Sequence, residues 1–105
     1  MNENAFPIVD SHAHIFTRDM PLNDRPRHRP SYDFTLQDYI ATLDAHGVRY
    51  GVIAAASPWS DYNDYTIESV RGNPRLRGPV IVRPGVEKYI LELMSRDGIV
   101  GVRLP

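Results

Sequence analysis

The stretch I8-V9-D10-S11-H12-A13-H14-I15-F16 decides how the rest of the chain is read. Residues 7–10 (PIVD) form a short β-type run that ends in polar residues. In a strand, side chains at i and i+2 point to the same face. His12 and His14 are therefore expected to project together from the end of a first strand. Two neutral imidazoles converging on one point suit a divalent metal, zinc above all. Asp10 has the same parity and is expected to orient one of the rings, as metal-bound histidines usually require. A His-x-His pair that merely sits in solvent is the plain alternative. The apolar run before it, and Phe16 and a long loop after it, favour the metal reading.

Beyond this motif, residues 17–33 are rich in Pro, Arg and Asp, with prolines at 21, 26 and 30. A connection of that length in a compact domain is usually functional or disordered. A helix follows, with Thr35 as its cap and Asp38 completing a variant capping box. Leu36, Tyr39, Ile40 and Leu43 share one face, and Gly47 supplies the left-handed stop. Residues 50–56 (YGVIAAA) are continuously apolar, as in a strand covered on both faces. Asp61 or Asn63 starts a second helix, with Ile67 and Val70 inward, closed by Asn73 and Pro74. Residues 79–83 (PVIVR) read as a third strand. Val86, Ile90, Leu93 and Met94 then make the apolar face of a third helix ended by Gly98. Residues 100–104 (VGVRL) read as a fourth strand.

The order β-α-β-α-β-α-β implies parallel strands joined by right-handed crossovers. No glycine-rich phosphate loop follows the first strand, as a dinucleotide-binding sheet would want. The fold class is therefore α/β, the N-terminal half of a (β/α)8 barrel, since a complete barrel needs about 250 residues. All 105 residues are read as one partial domain.

Composition restricts the partners. The net charge is −1, which gives no reason to expect nucleic acid or anionic membrane. No apolar run is long enough to cross a bilayer, and no basic segment followed by an apolar stretch marks a signal peptide. Cysteine is absent, so no disulfide forms, and a cytoplasmic location is expected.

The motif IVDSHAHIF resembles the opening of the amidohydrolase superfamily, whose first barrel strand ends in His-x-His. The remainder is similar to its amidohydrolase-related branch, whose members include pyrone-dicarboxylate lactonases and sulfomuconolactone hydrolases. Tyr32 matches a substrate-touching tyrosine of that branch. Ala56-Ser57-Pro58-Trp59 with Asn63 and Tyr65 resembles its second strand end, residues 80–86 (VIVRPGV) its third, and residues 101–104 (GVRL) its fourth, with Arg103 at the carboxylate-facing position. The resemblance implies a hydrolase of a small carboxylated lactone or ester, acting by metal-assisted water activation. It also implies a metal-dependent decarboxylase of aromatic acids as the rival, because related barrels share the metal site.

The residue types fit such chemistry. Arg103 and Arg83, at strand ends, each offer a bidentate fork for a carboxylate of a small anionic substrate. Ser57 can donate a hydrogen bond, and Tyr32 can contact substrate from the loop. Each has a plainer reading: surface ion pairs for the arginines, a turn start for Ser57, loop packing for Tyr32. His28 is expected in solvent, as is the cluster Arg25, Arg27, His28, Arg29. His46 is expected to serve as a helix C-terminal cation.

No histidine follows His46, so the motif supplies two metal ligands where catalytic zinc sites normally use three. The polypeptide alone is therefore expected to bind zinc weakly and to be inactive, as a fragment or an assembly subunit would be. Half a barrel also leaves open edges and an uncovered interior that favour self-association.

Overall fold

The computed structural model describes residues 6–22, 25, 29–59 and 62–103. Arg27, His28, Asp61 and Leu104, each named from the sequence above, lie outside these residues. Strand β1 (Val9–Ala13) is followed by helix α1 (Leu36–Ala45), β2 (Tyr50–Ile53), a short 3-10 turn (Ser57–Trp59), α2 (Asp64–Arg71), β3 (Leu76–Val80), α3 (Lys88–Arg96) and β4 (Ile99–Val102). The strands are parallel and lie side by side in the order β1-β2-β3-β4. This is the expected β-α-β-α-β-α-β progression. Among the described residues no helix is long and apolar enough to cross a membrane.

Local chemistry explains the helix ends. The Thr35 hydroxyl accepts from the Asp38 amide, and the Asp38 carboxylate accepts from the Thr35 amide, which completes the capping box. His46 caps the C-terminus of α1, and Gly47 takes φ 67° to turn the chain back toward β2. Asn63 begins α2. Its buried side chain donates to the Ile81 carbonyl at 2.8 Å and accepts from the Ile81 amide at 3.2 Å, which ties α2 to the chain leaving β3.

The helices cover one face of the sheet. Ile53, Leu76 and Val80 are fully buried there against Tyr39 and Leu43 of α1 and Val70 of α2. Ala13, Ile67 and Met94 pack at the edge of this core. α3 buries none of its residues completely, and Leu93, expected on its apolar face, is 49% exposed. The opposite face is open. Val9 and Tyr50 are exposed there.

β3 both begins and ends elsewhere than the sequence suggests. β3 runs from Leu76 rather than Pro79. Pro79 fits inside it because its carbonyl, not an amide, serves the ladder by accepting from Ala55. Residues 81–83 leave the ladder, and Ile81 finds its partners in the Asn63 side chain instead.

Candidate active site

Register decides where the histidines point. Asp10 lies opposite Gly51 and Ala13 opposite Ile53, so three steps along β1 match two along β2. One extra residue therefore sits in β1 between Asp10 and Ala13, a bulge that reverses the inside-outside alternation beyond it. Ala13 and Ile15 pack into the helix-covered core, which leaves His12 and His14 on the open face. Their ring centres are 4.9 Å apart and nearly perpendicular, at 79°.

β4 repeats the device. Gly78 faces Ile99 while Pro79 faces Gly101, so β4 carries one extra residue around Val100. Val102 then pairs with the inward-buried Val80, and Arg103 is turned to the open face. Its guanidinium Nη1 donates to the Ala55 carbonyl at 2.6 Å. The next carbonyl back, of Ala54, accepts from His14 Nδ1 at 2.8 Å. A carbonyl only accepts, so the His14 proton is on Nδ1 and Nε2 presents its lone pair outward. Two consecutive carbonyls at the end of β2 thus gather a histidine from β1 and an arginine from β4.

The electrostatics follow from this crowding. Burial pushes His14 below its ordinary value, the Ala54 carbonyl pulls the other way, and the positive charges of His12 and Arg103 add to the lowering. A neutral imidazole is the form that ligates metal.

Asp10 departs from the expectation. The same bulge puts it on the helix face, opposite the imidazoles. Its Oδ2 accepts from the Tyr39 hydroxyl at 2.9 Å and its Oδ1 from the His12 amide at 3.3 Å. It therefore meets His12 through the backbone and not through the ring. Parity counting from the sequence has no means of seeing the inserted residue.

The other expected site residues divide. Tyr32 is 56% exposed and meets Phe16 edge-on at 5.3 Å, while Phe16 stacks on Trp59 at 5.0 Å. Phe16 also exchanges backbone hydrogen bonds with Phe34, which brings the far end of the long loop back to the strand end. Ser57 opens the 3-10 turn after β2. Arg83 lies apart: it lines a cleft of about 370 Å³ with Asn63, Ile81, Val86 and Met94, whose walls include neither histidine nor Arg103. Tyr39 is the residue that sequence reasoning left in the core. A tyrosine among apolar core positions signals a hydroxyl in need of a partner.

The pair fits a metal in part. Two imidazoles on one tetrahedral ion, with N–Zn distances of about 2 Å, hold their ring centres about 5 Å apart. The observed spacing is close to that. No cluster of three or more metal-ligating side chains occurs among the described residues, so His12 and His14 would be two ligands of a larger set.

The amidohydrolase family model matches residues 9–105. An Acinetobacter baumannii protein designated a probable 2-pyrone-4,6-dicarboxylic acid hydrolase, solved with citric acid bound, is 31% identical with a TM-score of 0.90 over 94% of this chain and 38% of its own. A Pseudomonas putida protein of similar designation is 39% identical with a TM-score of 0.83 over 93% of this chain and 36% of its own. An Agrobacterium tumefaciens protein in its apo form shares the fold at 21% identity and a TM-score of 0.81, over 95% of this chain and 38% of its own. This chain thus spans well under half the length of each. No curated protein matches it by sequence.

Proposed function

The chain belongs to the amidohydrolase family, and from that premise we propose that it forms the metal-binding and carboxylate-binding part of a hydrolase of small carboxylated lactones or esters. The observation that carries this reading is the meeting of His12, His14 and Arg103 on one open face at the strand ends. The designation of two structural neighbours as pyrone-dicarboxylic acid hydrolases supports the substrate class.

In this reading Arg103 binds a substrate carboxylate. Ala55 holds one of its N–H groups, which fixes the guanidinium plane and leaves the others for a charge-assisted pair. His14, oriented by Ala54, and His12 beside it hold a divalent cation, zinc in our reading. When bound, such an ion supplies Lewis-acid polarisation of a carbonyl and eases deprotonation of water. Water oxygen bonds to the acyl carbon, the ring C–O bond breaks, and the released oxygen takes up a proton. Tyr32, held edge-on against Phe16, forms a wall for a planar substrate. Ser57 is assigned a supporting hydrogen bond, and Arg83 a more distant electrostatic role from its own cleft.

The open face, where Val9 is 52% exposed, needs covering before it encloses a substrate. We propose that further barrel strands, from a longer polypeptide or from another copy, supply the cover and the remaining ligands, and that these 105 residues alone are inactive.

The test is to follow 2-pyrone-4,6-dicarboxylate by loss of its ring absorbance with the full-length protein. Hydrolysis that a chelator stops, that zinc restores, and that His14→Gln removes is expected. Turnover indifferent to both histidines, or no turnover of any carboxylated lactone, contradicts the reading.

A further inference from the structure

Tyr39 carries more chemistry than its place in the core requires. It is 2% exposed on the buried face of α1, where a phenylalanine would fill much the same space. Its hydroxyl instead reaches across β2 to Asp10 Oδ2 at 2.9 Å. The path is open because residue 51 is glycine: a Cβ there would overlap the Tyr39 hydroxyl. The other Asp10 oxygen accepts from the His12 amide at 3.3 Å, inside the stretch where β1 carries its extra residue. A bulged segment loses regular ladder pairing, and here a side chain takes up one of its amides. Burial and the adjacent Asp10 carboxylate both raise the phenol well above its ordinary value, so it stays a donor across the working range of pH.

We propose that Tyr39 is a positioning residue for the His12–His14 pair, acting through Asp10 to hold the bulge that turns both imidazoles onto the open face. What the imidazoles bind rests on the hydrolase reading above; the clamp itself does not.

Tyr39→Phe in the full-length protein keeps the ring and removes only the hydroxyl. Amide hydrogen exchange at Ser11, His12 and Ala13 is expected to quicken at least tenfold, with Leu76 and Val80 unchanged. Co2+ affinity, read from its visible absorption, is expected to fall by about 10–100-fold, the range typical when a partner behind a ligand is lost. Gly51→Ala, which displaces the phenol, should produce both changes. Exchange at His12 within twofold of the parent overturns the proposal, as does exchange that rises equally throughout the sheet. Should Tyr39→Phe fail to fold, Asp10→Ala leaves no side-chain acceptor for the His12 amide, and the same local rise is required of it. A parent that binds no Co2+ contradicts the metal reading alone, and the exchange result then supports or overturns the clamp by itself.

Discussion

The inner strands β2 and β3 and the outer strands β1 and β4 are built to different rules. β2 and β3 keep an unbroken register with one another and supply Ile53, Leu76 and Val80, the fully buried side chains. Their glycines accommodate close neighbours, as at Gly78, where a Cβ would overlap the Ile53 carbonyl. β1 and β4 each carry one additional residue against their neighbour, and His12 in β1, His14 just past it and Arg103 just past β4 take their facing from it. Regular pairing provides the core. Departure from it re-aims the side chains that carry the proposed chemistry.

The contrast is most easily broken at its stabilising side. Leu76→Ala should lower the unfolding free energy by about 2–5 kcal/mol, because it empties a fully buried site. Val100→Ala, at a largely exposed position of β4, should change it by about 0.5 kcal/mol or less. Equal losses in denaturant titrations would erase the distinction. On the chemical side, Arg103→Gln should reduce kcat/KM for a carboxylated lactone by about a hundredfold, chiefly through KM, as expected when a charge-assisted contact is removed.

Smaller effects sharpen the picture. Thr35→Ala removes the hydroxyl limb of the capping box and should cost about 1 kcal/mol in thermal unfolding, with KM and kcat unchanged. The smallest effect is a pH dependence from His14. Its folded-state pKa lies below the ordinary 6.5, so the unfolded chain binds the proton more readily. The stability it contributes is complete above pH 6.5 and is lost as pH falls toward the folded value. His14→Gln should flatten that part of the stability profile. A parent that gains stability on acidification through this window contradicts the assignment.

Much of the fold was legible because local chemistry and the final structure agree. Thr35, Asp38, Gly47 and Gly98 mark helix ends by their own hydrogen bonds and positive φ angles. The spacing of Leu36, Tyr39, Ile40 and Leu43 marked the buried face of α1. The strand ends were less legible. Residues 54–56 and 81–82 are apolar enough to extend β2 and β3, yet side chains of His14, Arg103 and Asn63 claim backbone groups there. In the site, the shared face of His12 and His14 was readable from spacing, but the placement of Asp10 was not. A bulge is a property of two strands together, and a single strand's alternation does not record it. The link from Tyr39 to Asp10 likewise depends on a glycine on a third element.

The central claim, that His12 and His14 form one metal-binding pair, is tested most directly by calorimetric titration of the full-length protein with Zn2+. One ion per chain is predicted, with affinity falling at least tenfold in both His12→Ala and His14→Ala. Binding that survives both substitutions unchanged, or no binding by the parent, would contradict it.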